Sequence, residues 1–202
     1  MCHICNAVRN AIHGKSQSIK PVPPIPTILS NEQEQALLAA IEKISNAVDL
    51  RDVVTLILGT GIRQGELRQL KWSEVDLKAG ELNVAGRRVP LSSDLIASLT
   101  ERATRVCAEH VMGRRPEIAT MKAFRDLELA ANSIGLPRLT LHDLRYTFAA
   151  RCMASGMSAL SLRRLCGWST AVLRTIGQRI AKAAGLEVED GNDAMKDLKV
   201  TN

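Results

Sequence analysis

From Ser30 onward, glycine and proline cut the chain into short apolar-periodic segments, a punctuation that fits packed helices and little else. SNEQ signals the first helix, with Ser30 as N-cap and Gln33 as its reciprocal partner, after which Leu37, Leu38, Ile41 and Ile44 recur on one face. LRDVVTLILGTG forms a second apolar helix that Gly59 and Gly61 are expected to stop. RQGELRQLKW then resumes helical spacing with Leu67 and Leu70 inward, which presents Arg63 at a helix junction. GELNV and RRVPLS are β-favouring and separated by Ala85 and Gly86, so they predict a small hairpin. SDLIASLTERATRVCAEHVM predicts a helix with Leu95, Leu99, Ala103 and Val106 on one stripe and Arg and Glu opposite. Further helices are expected from about Pro116 to Asn132, closed by Gly135 and Pro137, from the stretch LTLHDLR onward, near 158 to 166, and near 170 to 184. Ser169 and Thr170 read as the start of the last.

Composition narrows the architecture further. Aromatic residues make up 2% of the chain and apolar residues 46%, so Leu, Ile, Val, Ala and Met must fill the core, which favours helix on helix. The expected fold is mainly α (α+β), a compact multi-helix body with a small β-hairpin or short antiparallel sheet. At 202 residues one domain is the default. Residues 1–29 are read as an N-terminal remnant and Pro-rich linker, 30–185 as the main domain, and 186–202 as a polar C-terminal tail.

The net charge of +6 and a pI near 9.3 favour polyanionic partners, because Lys and Arg release condensed counterions when they neutralise phosphates. VVTLIL is the longest apolar run and far too short to cross a bilayer, and no secretion signal is visible, so a cytoplasmic protein without membrane partners is expected. Five scattered cysteines agree with reduced thiols. MCHIC and CAEH bring Cys2, Cys5, Cys107 and His110 to mind as a zinc set, but the spacing between the halves matches no justified pattern, and no metal or cofactor is assigned. Cys107 is expected to face the core of an ordinary helix.

Two segments, TGIRQGELRQLKWSEVDL and HDLRYTFAARCMASGMSALSLRRLCGWS, together resemble the two signature boxes of the tyrosine recombinase or phage integrase family, over roughly residues 27 to 180. Trp168 lies 26 positions beyond His142, as the resemblance leads one to expect of the His-x-x-Arg box and its later His or Trp. The resemblance implies the family's catalytic-domain fold and a metal-free chemistry in which a tyrosine attacks a DNA phosphodiester. It assigns the phosphate-binding arginines to Arg63 and Arg145, a phosphate or proton contact to His142, and an indole N–H and packing role to Trp168. His142 and Arg145, three apart on a helix, would then share a face. Planar, permanently charged guanidinium groups suit the charge that builds on phosphoryl oxygens.

The chain departs from that pattern at decisive points. Gly177 stands nine residues after Trp168, where the nucleophilic tyrosine is expected, with Ile176 and Gln178 beside it. Tyr146, the single tyrosine, adjoins Arg145 and would point about 100° away from it on a helix, so a packing role is expected instead. The hairpin lacks the family's lysine; Arg87 and Arg88 are there, but arginine is a poor general acid, and Lys78 precedes the hairpin. Arg68, Lys71, Arg87, Arg88 and Arg174, with Arg138 and Arg151, are expected to supply a DNA-facing surface. The resulting expectation is a double-stranded-DNA-binding, integrase-like domain for site-specific recombination or integration that does not cleave DNA by itself. Alternatives are a recombinase subunit, in a homo-oligomer or beside a tyrosine-bearing partner, completed in trans, and a helical protein-interaction module that does not bind DNA.

Overall fold

The computed structural model describes residues 25–44, 48–188 and 200–201. Helices α1 (Asn31–Glu42), α2 (Val48–Thr60) and α3 (Gln64–Gln69) lead through a 3-10 turn at Trp72–Glu74 into strands β1 (Val75–Asp76), β2 (Glu81–Val84) and β3 (Arg87–Pro90). Helices α4 (Ser93–Arg105), α5 (Pro116–Ser133), α6 (Leu141–Ala154), α7 (Ala159–Cys166) and α8 (Thr170–Ala183) complete the body, and β4 (Glu187–Val188) pairs antiparallel with β5 (Val200–Thr201). The mainly helical class with a small three-stranded antiparallel sheet is therefore as expected from the sequence.

Local chemistry explains most helix starts. The Ser30 hydroxyl accepts the Gln33 N–H at 3.2 Å while the Gln33 side chain accepts the Ser30 N–H at 3.0 Å, satisfying two donors that the first turn leaves open. Ser92, Ser158 and Ser169 cap α4, α7 and α8 through one hydroxyl each. At α6, Thr140 and Asp143 form the reciprocal pair, and the other oxygen of Asp143 accepts the N–H of Thr27 at 3.0 Å. Thr147, fully buried one turn later, accepts the N–H of Leu29 at 3.0 Å. The end of the Pro-rich stretch is thus packed along α6 with Leu29 in the core. The N-terminal helical remnant read from the sequence lies outside the described residues.

The sheet is the order β1, β2, β3, with Leu82 opposite Val89 facing the core and the turn at Ala85 and Gly86. Both turn residues have positive φ, 49° and 74°, as the right-handed twist of a two-residue hairpin demands.

Four expectations need correction. Gly59 does not stop α2; it lies inside the helix, where a Cβ would run into Leu95 of α4, and Gly61 at φ 60° makes the stop. Helix α4 ends at Arg105 rather than near Met112, because residues 107–112 turn back to bridge Lys71 with His110 and to place Val111 in the core. Its buried stripe is Leu95, Leu99 and Arg102, while Ala103 is exposed. Arg102 is accommodated because Asp52 and Asp49 neutralise it and Nε donates to the Val111 carbonyl at 2.6 Å. Cys107 is exposed, not in the core, and among the described residues no cluster of His, Cys, Asp and Glu suits a metal ion. Among them, too, no helix is long and apolar enough to cross a membrane.

Buried side chains form two clusters. The larger joins α1 to α5, the sheet and the start of α6, with α2 packed against α1, α4, α5 and α6. The smaller joins the end of α6 to α7 and α8. Helix α6 belongs to both, and the polar groups along the seam make the candidate site.

Candidate phosphate site

Three guanidinium groups converge where α7 ends. Arg87 donates through Nε to the Leu165 carbonyl at 3.0 Å, Arg145 through Nη2 to the Cys166 carbonyl at 2.5 Å, and Arg63 through Nη2 to the Gly167 carbonyl. Three successive carbonyls that the last turn of a helix leaves unpaired, at the negative end of its dipole, each hold one arginine. The three come from distant places in the chain: Arg63 is the N-cap of α3, Arg87 opens β3 and Arg145 sits in the second turn of α6.

One carboxylate binds two of them. Glu66 takes a bidentate pair from Arg87 at 2.9 and 2.6 Å, and a third bond from Arg63 Nη1 at 2.8 Å. Its other oxygen also accepts the Arg63 backbone N–H at 2.8 Å, closing the first turn of α3. Burial pushes the Glu66 carboxyl up, but the bonds from Arg87 and Arg63 outweigh it and hold the group at about 2. Sequence reasoning missed Glu66. Its signal was present in RQGE, a carboxylate three residues after a helix start, which is the spacing of a reciprocal cap.

Arg145 is the buried member. Nη1 also donates to the Gly61 carbonyl at the end of α2, and its Cζ lies 5.5 Å from the centroid of the Trp168 ring. Burial lowers the guanidinium to about 10, with the Cys166 thiol opposing and Arg63 adding to the shift, so it remains a cation at neutral pH. Burial also pushes the Cys166 thiol up to about 11, against the pull of Arg145, and leaves it protonated and a poor nucleophile.

The remaining sequence candidates are dispersed. His142 is exposed in the first turn of α6, edge-on to half-buried Tyr146 with ring centroids 6.2 Å apart. Arg88 points outward from β3, opposite in sense to Arg87, and approaches Glu81 at 3.9 Å. Lys71 pairs with Glu109 at 2.8 Å, Arg151 pairs with Glu34 on α1, and Arg68, Arg138 and Arg174 are exposed. Gly177 is buried within α8, where a Cβ would meet Leu173 Cδ1 at an ordinary 3.7 Å.

Comparison with known proteins agrees with the two boxes and with the fold. The sequence model of the phage integrase family matches residues 27–172. The chain belongs to the phage integrase family. This integrase-family chain is 26% identical over 169 residues to tyrosine recombinase XerA of Saccharolobus solfataricus, spanning 80% of its own length and 56% of that protein. It is 28% identical over 180 residues to tyrosine recombinase XerD of Pseudomonas aeruginosa, spanning 79% and 59%. Its fold is similar to the crystal structure of XerA recombinase, with a TM-score of 0.64 at 24% identity over 78% of this chain and 60% of that one. A lambda integrase dimer bound to a COC′ core site gives a TM-score of 0.66 at 20% identity over 93% and 59%. The integrase-family chain thus spans little more than half the length of the curated relatives it matches.

Proposed function

We propose that this chain is a tyrosine-recombinase-like domain for site-specific DNA recombination or integration, which grips duplex DNA by its phosphates and does not cleave it alone. The observation that carries the reading is the convergence of Arg63, Arg87 and Arg145 on one spot, three positive charges against the single carboxylate of Glu66. A surplus of guanidinium charge held by backbone carbonyls is a preorganised receptor for a phosphodiester, since no reorganisation is needed when the anion arrives. DNA is the phosphate source this reading favours, because the lambda integrase neighbour is bound to a core DNA site. Half-exposed Arg63 offers the direct contact, Arg145 and Arg87 add field from beneath, and exposed His142 stands at the start of the same helix as Arg145. Arg68, Lys71, Arg88 and Arg174 extend the contact along the backbone.

Cleavage requires a nucleophile, and the reading assigns none. Gly177 has no side chain, Ile176 and Gln178 cannot attack phosphorus, and the Cys166 thiol is protonated at neutral pH. Arg87 in the hairpin is engaged by Glu66 and the Leu165 carbonyl.

The test is fluorescence anisotropy of labelled duplex DNA at several salt concentrations, with Arg63→Ala beside the wild type. Binding is expected to weaken as salt rises and to fall about tenfold in the variant, the effect of losing one charged hydrogen-bond donor. Denaturing electrophoresis is expected to show no covalent protein–DNA adduct. An adduct from the wild type alone would overturn the cleavage deficiency, one formed only beside a tyrosine-bearing relative would point to completion in trans, and absent binding at low salt would favour an interaction module.

A further inference from the structure

We infer that Gly167 is a positioning residue of the arginine site, because a side chain there would press on Arg63 and Arg87 and shift Arg63. The inference rests on the phosphate-binding reading above and adds to it a residue that neither touches the phosphate nor carries charge. Gly167 caps α7 at φ 59° and ψ 38°, a left-handed conformation that turns its carbonyl toward Arg63. A Cβ built at Gly167 would lie 3.1 Å from Arg63 Nη1, 3.2 Å from Arg87 Nη1 and 3.3 Å from Arg87 Cζ. These are tighter than ordinary van der Waals contacts, so one partner must yield. Arg87 is the less able to do so, held by Glu66, the Val84 carbonyl and the Leu165 carbonyl at once. Arg63, half-exposed, is the group that moves, and it is the one placed to meet the phosphate.

Other glycines in the fold separate this contact from backbone strain. Gly156, at φ 78°, also occupies the left-handed region, but a Cβ there would meet nothing within 4 Å. Gly156→Ala and Gly167→Ala therefore share the conformational cost of an L side chain at positive φ, and only Gly167→Ala adds a clash with the arginines.

The experiment compares the wild type with Gly167→Ala and Gly156→Ala in two measurements on the full chain. In duplex-DNA titration, Gly167→Ala is expected to bind about tenfold more weakly than Gly156→Ala, the fold-change of one lost charged hydrogen bond. In NMR titration of the Glu66 side-chain carboxyl, Gly167→Ala is expected to move the midpoint up from about 2 toward 4.5 as Arg63 leaves, with Gly156→Ala unchanged. Thermal unfolding verifies that both variants fold. Equal affinity in the two variants with an unmoved Glu66 would overturn the inference. Should no form of the protein bind DNA, the phosphate reading fails, while the Glu66 midpoint still decides whether Gly167 positions the arginines.

Discussion

Glu66 shows how much one side chain can depend on partners that sequence places far away. Its carboxyl is ordinarily near 4.5 and is held at about 2 in the folded chain by Arg87 and Arg63. Because the folded value is the lower one, the stabilisation is complete above pH 4.5 and is lost as pH falls from there through 2. Urea denaturation between pH 6 and pH 2.5 is expected to show that loss in the wild type and a shallower one in Glu66→Gln; parallel curves would refute the assignment. A second prediction belongs to Ala85, which holds φ at 49° in the hairpin turn although its Cβ disfavours that region. Ala85→Asn, creating an Asn-Gly pair, is expected to stabilise the fold by about 0.5–1 kcal/mol, readable as a rise in melting temperature.

At the scale of elements, capping and periodicity account for where most helices begin. Ser30 with Gln33, Pro116 and Ser169 were all legible as starts, since each acts within one turn of its own helix. The end of α4 was not, because residues 107–112 continue the apolar spacing but are drawn off by the backbone of Leu70, Lys71 and Trp72. Arg102, placed on the solvent face by its type, is fully buried for the same reason: Asp49 and Asp52 on α2 receive it. Arg102→Met is expected to cost about 3 kcal/mol by leaving buried Asp52 with only the longer contact to Arg105 at 3.5 Å, whereas the double variant with Asp52→Leu recovers part of that loss. Chemical denaturation of the pair in a double-mutant cycle measures the coupling, and additive losses would contradict it.

The whole molecule is held at its seam by Arg145. One guanidinium joins the end of α2, through the Gly61 carbonyl, to the end of α7, through the Cys166 carbonyl, and so links the two hydrophobic clusters. Arg145→Ala leaves both carbonyls without that donor in a buried setting and is expected to cost about 3 kcal/mol. Hydrogen exchange is the discriminating measurement: amides of α7 and α8 are expected to lose protection ahead of those of α2, and uniform loss would show that the seam is not the weak point.

The sequence by itself determined the helical class, the hairpin, the caps at Ser30 and Ser169 and, through its two boxes, the family with Arg63, Arg145 and Trp168 as residues to watch. Those follow from interactions within a few residues or from motifs read in order. Only the tertiary structure decided that Arg87 turns inward while Arg88 turns out, that Glu66 binds two of the three arginines, and that a Cβ at Gly167 would press on Arg63 and Arg87. Each of these depends on α3, β3, α6 and α7 meeting at one point, and a contact between residues 21 or 104 positions apart leaves no periodicity in the chain to read.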